Sequence, residues 1–152
     1  MPVVVYSVVV VVVAELDESS VDDVSQCEER IVSRSRAFLL INSRDQTQHG
    51  VIPLDKILRR LGYETRLVVV ERANDIAVFF NCMTLSAVMG LRDQWQNGQL
   101  RHIVQSLFTF LLATKVTKRP LCVKRLTWPL TEYERSLEFF SWTQGEHLYV
   151  LN

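Results

Sequence analysis

Arg66–Cys82 reads RLVVVERANDIAVFFNC. Two runs rich in β-branched and aromatic residues, Arg66–Arg72 and Ile76–Cys82, are separated only by Ala73-Asn74-Asp75. Such side chains suit a pleated, half-buried surface, and so short a link favours an antiparallel hairpin over a crossover. The chain therefore contains a sheet, and the remaining segments are read as what pairs with this hairpin and what packs on it.

Upstream, Ala37–Ser43 (AFLLINS) is a compact apolar run bounded by the polar SRDQTQHG, which predicts a first, buried strand. Pro53 then suits a first helical position. Leu54, Ile57, Leu58 and Leu61 follow at helical spacing, closed by Gly62, and predict a short amphipathic helix. Downstream, Leu85–Gln96 and Gln99–Ala113 read as two helices separated by the stop pair Asn97-Gly98. The second carries one apolar stripe, Leu100, Ile103, Val104, Leu107, Phe108 and Leu111, at a period of about 3.6. Leu121–Trp128 (LCVKRLTW) predicts a fourth strand. Thr131 with Glu134 forms a capping-box pattern for a helix ending near Trp142, and the tail at 146–152 suits an edge strand.

The resulting order, β-α-β-β-α-α-β-α, is most economically met by an α+β, ferredoxin-like α/β sandwich: a four-stranded, mainly antiparallel sheet with helices on one face. The ordered domain is expected over 37–145. Residues 1–36 are expected to be appended: a valine run, Pro2–Ala14 (PVVVYSVVVVVVA), then a polar arm, Glu15–Arg36. The valine run is shorter than the roughly 20 apolar residues of a membrane span and lacks the basic flank of a signal peptide. It reads as an added strand or a low-complexity extension.

Seventeen basic residues balance seventeen acidic ones, so no global field attracts nucleic acid or an anionic membrane. Three cysteines without CxxC spacing argue against a disulfide framework or a zinc site and for a reducing, cytoplasmic setting. The glycines form no phosphate-binding loop, and no cofactor or small-molecule substrate is expected. Two other readings stay open. An RNA-recognition-like module would stack bases on Phe38 and on Phe79 or Phe80, although no RNP1 pattern is present. A caspase-like protease fragment would use His49 and Cys82, but Cys82 sits in FFNCMT where such enzymes carry QACRG.

In the first strand Ala37, Leu39 and Ile41 alternate with Phe38, Leu40 and Asn42, and in the third Ile76, Val78 and Phe80 alternate with Ala77, Phe79 and Asn81. Both faces of the sheet thus carry apolar side chains, and the one away from the helices is a candidate protein-binding surface. Arg66, Glu71 and Arg72 would rim it. With these elements placed, LRDQWQNGQLRHIVQSLF (Leu91–Phe108), preceded by RLVVVERANDIAVFFNC and a short strand such as AFLLINS, resembles the N-terminal domain of the tumour necrosis factor receptor-associated death domain adaptor family over roughly Arg36–Trp142. The resemblance implies a non-enzymatic adaptor in apoptotic or innate-immune signalling that binds TNF receptor-associated factors (TRAFs) through its sheet. It places partner contacts at Phe38, at Leu40, where the family has an aromatic, and near Val78; Arg72, from the rim, completes the expected partner-binding residues.

Overall fold

The computed structural model describes residues 6–18, 23–44, 53–72, 74–112 and 121–151, with side chains other than those of 40–44, 53 and 142–151. In chain order the elements are β1 (Val8–Leu16), α1 (Val24–Arg44), α2 (Pro53–Leu58) with a 3-10 turn at Arg59–Leu61, β2 (Thr65–Arg72), β3 (Ile76–Cys82), α3 (Leu85–Gln96), α4 (Gln99–Leu112), β4 (Val123–Thr127) and α5 (Leu130–Leu151).

The strands form one sheet in the order β2-β3-β1-β4, with every neighbouring pair antiparallel. β1 and β2 consequently run parallel with β3 between them, and β3 and β4 run parallel with β1 between them. Two interleaved β-α-β units of this kind make the ferredoxin-like layout expected from the element order.

The valine run supplies one of the sheet's two interior strands. Val10, Val12, Ala14 and Leu16 of β1 are buried, whereas Val9 and Val11 remain 52% and 38% exposed, the two-residue alternation of a strand with one face on a core. Val8–Ala14 pair with β3 and Val13–Leu16 with β4. The expectation that this segment is an appendage is therefore corrected: the sheet is built around it.

Ala37–Ser43 is likewise corrected, from a strand to the last turns of α1. A short apolar run cannot be told from a buried helix segment by its own periodicity. The turns before it decide the matter, because Cys27, Ile31, Ser35 and Phe38 recur at spacings of four, four and three and lie on a buried or half-buried stripe. Asp23 starts the helix by accepting a hydrogen bond from the Gln26 amide (3.1 Å). α1 packs on β2 and α4, where the Phe38 and Phe110 rings lie 5.2 Å apart.

Elsewhere the expected elements are found with shifted ends. Thr84 caps α3, its hydroxyl oxygen accepting from the Ala87 amide (3.1 Å). Gly98 takes φ +85° between α3 and α4, a conformation that costs other residues free energy. All six stripe positions of α4 are buried, together with Leu112. α5 begins at Leu130, with the Pro129 carbonyl accepting from the Glu132 and Tyr133 amides, so Thr131 lies inside the first turn and is not the cap. Its backbone stays helical to Leu151, where an edge strand was expected; extending an existing helix is cheaper than starting a new element.

Candidate interaction surface

With β1 at the centre of the sheet, the face turned away from the helices can be read off the strand register. Its middle row is Val69, Phe79 and Val11. One step along the strands lies Arg66, Asn81 and Val9; one step the other way lies Glu71, Ala77, Val13 and Thr127. The next row holds Glu15 and Arg125. Val9 and Val11 are exposed, and Val13, Val69 and Phe79 half-buried. Among the described residues this is a contiguous apolar strip with charged corners.

A β-bulge at Val68 completes the surface. Leu67 pairs with Phe80 and Val69 with Phe79, which leaves Val68 as an extra residue, 46% exposed. Arg66 and Glu71 are five positions apart and would point to opposite faces of a regular strand. The bulge restores the parity, and both point outward. At the opposite corner Glu15 pairs with Lys124 (3.9 Å) and Arg125 (4.0 Å). Beside β1, where β4 has ended, Val9, Val11, Val13, Trp128, Glu132 and Ser136 line a groove against α5.

The residues expected to contact a partner are not brought together here. Val78 is fully buried on the helix-facing side. Arg72 also points to that side, donating to the Ser25 hydroxyl and lying 3.8 Å from the Glu28 carboxylate, both on α1. Phe38 belongs to α1 and packs on Phe110. Leu40 lies on α1, and its side chain falls outside the described residues. The outward positions Val9, Val11 and Val13 were missed because the valine run was set apart from the domain. Their signal was present in the unbroken β-branched sequence, which suits an interior strand more than an arm.

Three polar features inside the fold bear on other chemistry. Cys82 is buried, and loss of solvation pushes its thiol up to about 11, with Thr65 acting weakly the other way. That is the reverse of an activated nucleophile; His49 lies outside the described residues. Burial likewise raises the Glu28 carboxyl above its ordinary range, against the pull of Arg72 and with a small push from Asp75. Arg92, buried on α3, stacks 4.1 Å from the Trp95 ring, 5.0 Å from Tyr133 and 5.1 Å from Trp128. Its Nη1 donates to the Trp128 carbonyl at 2.7 Å, and the Trp95 indole donates to Leu126 at 2.9 Å. This cage ties α3 to the end of β4 and the start of α5, and so holds one wall of the groove in place.

No described helix is long and apolar enough to cross a membrane, and the described residues contain no cluster of three or more potential metal ligands. Compared with protein-family models, curated proteins and solved structures, the chain matches none.

Proposed function

We propose that this domain is a non-enzymatic interaction module that receives a partner protein on its outer sheet face, in an adaptor role of the apoptotic or innate-immune TNF/TRAF type. The observation that carries the reading is the strip Val9, Val11, Val69 and Phe79 on the outer sheet face, exposed or half-buried and bordered on one side by the groove against α5. Contiguous exposed apolar area framed by charge is the usual mark of a protein-binding site, and a few central anchors dominate such interfaces. Phe79 with Val11 is the natural anchor pair. The family resemblance supplies the first partner to try, a TRAF-type C-terminal domain.

The test is calorimetric titration of such a domain into the wild type and into a Val11→Asp variant. Val11 points outward, so the variant is expected to fold with unchanged circular dichroism and to lose at least about tenfold in affinity, as for a charge placed in an apolar contact. Unchanged affinity would remove the outer face from the reading.

One observation favours a second reading. Phe79 stands on the outer face of β3, an interior strand, where RNA-recognition domains stack a base. The opposed positions on β1 are valines, and Lys124 and Arg125 are already paired with Glu15. Affinity that falls steeply between low and moderate salt would select RNA; an apolar protein interface loses little.

A further inference from the structure

We infer that the outer sheet face is self-complementary, and that a second copy of this chain occupies it in a face-to-face dimer. The inference rests on the outer face being the interaction surface and names its occupant.

The argument comes from the register. On β2, Arg66 lies level with Asn81 and Glu71 with Ala77, each two β3 residues from Phe79 but on opposite sides of it. The two charges therefore stand at equal distances, about 7 Å along the strand, from the middle row. A two-fold axis lying along that row, in the plane between two stacked sheets, exchanges the row above with the row below. Arg66 of one copy then faces Glu71 of the other, and the exchange is made twice, as an isologous interface requires. Phe79 meets Phe79, Val11 meets Val11 and Val69 meets Val69 at the centre, the apolar contact of an aligned sandwich with sheets about 10 Å apart.

The same operation creates no like-charge contact among the described residues of the face. Glu15 falls over Ser7, which is uncharged, at the start of the partner's β1, and Arg125 falls one strand over, beside the groove that Glu132 and Ser136 line. Among the described residues neither Arg66 nor Glu71 has an ion-pair partner within its own chain. The bulge at Val68 is what makes the match, since it places both charges outward.

Charge exchange tests this arrangement. Sedimentation equilibrium is expected to show a dimer for the wild type. Arg66→Glu sets two acidic side chains opposite each other at both corners, and Glu71→Arg sets two basic ones. Each is expected to weaken dimerisation about tenfold or more, since opposed like charges disfavour association. Mixing the two single variants restores a dimer, and the double variant Arg66→Glu/Glu71→Arg dimerises like the wild type. Both positions are exposed, so thermal unfolding midpoints should stay near that of the wild type.

A monomeric wild type overturns the inference, as does a dimer indifferent to the single changes or a double variant that fails to recover. If the wild type is monomeric but Val11→Asp abolishes partner binding, the dimer is wrong and the interaction face stands. Should Val11→Asp alter neither self-association nor partner binding, the face itself is wrong.

Discussion

Arg92 shows how one side chain can carry more than its own contacts. A buried guanidinium among three aromatic rings, with one hydrogen bond to a main-chain carbonyl, is stabilised by stacking and by that charge-assisted bond. Arg92→Ala is expected to cost about 2–4 kcal/mol in chemical denaturation, from the lost cation–π contacts and the cavity left behind. Arg92→Lys should recover only part, because an ammonium cannot stack as a plane; equal stabilities for Lys and Arg would show that charge alone matters. Glu28 makes a pH-dependent prediction. Its carboxyl is raised in the folded state, so the fold binds this proton more tightly than the unfolded chain. The associated stability is complete below the ordinary carboxylate range and is lost as pH rises through the raised value. The stability of wild type relative to Glu28→Gln should therefore fall as pH rises from the ordinary carboxylate range through the raised value, measured as paired denaturation midpoints. A difference that grows with pH would mean that the Arg72 ion pair, at 3.8 Å, outweighs desolvation. Neither residue was legible in the sequence as special, because Trp95 is the one local ring beside Arg92, and the groups that complete the surroundings of Arg92 and Glu28 lie 36 and 44 positions away, at Trp128 and Arg72.

Among the elements, β1 is the most unusual in what it leaves unspecified. Residues 8–13 are all valine, so sliding the strand by two positions, or by one with the faces exchanged, changes little within that stretch. Register is normally set by the pattern of apolar and polar side chains. Here that information sits at one end, where Ala14 and Leu16 are buried and Glu15 points outward to Lys124 and Arg125. Glu15→Val raises β-propensity and apolar content, yet it is expected to harm the protein by removing the mark that tells one face from the other. Doubled amide resonances or growing light scattering would report the mixed registers; one clean set of resonances with wild-type solubility would show that β3 and β4 fix the strand unaided. Legibility varied by element for the same reason. The hairpin of β2 and β3 and the stripe of α4 carry their own periodicity and were read correctly. The apolar end of α1 was misread because its helical face becomes visible only when Ile31 and Ser35 are counted with Phe38.

For the whole molecule, the layered α+β architecture followed from the order of elements, while the position of the candidate surface did not. Moving the first strand from Ala37–Ser43 to Val8–Leu16 kept the class of fold and replaced half of the outward face, exchanging Phe38 and Leu40 for Val9, Val11 and Val13. The candidate surface is thus a property of the pairing pattern, since Val11, Val69 and Phe79 come together only through the register. The central placement of β1 also bears on how the protein is made. β1 leaves the ribosome well before residues 76–82 and 123–127, the segments with which it pairs. Until they arrive, an uncharged β-prone run has no native neighbour, and closure over so long a loop is slow. Folding is therefore a race between completing the sheet and the aggregation of a nascent valine segment, and the topology sets how long that segment waits.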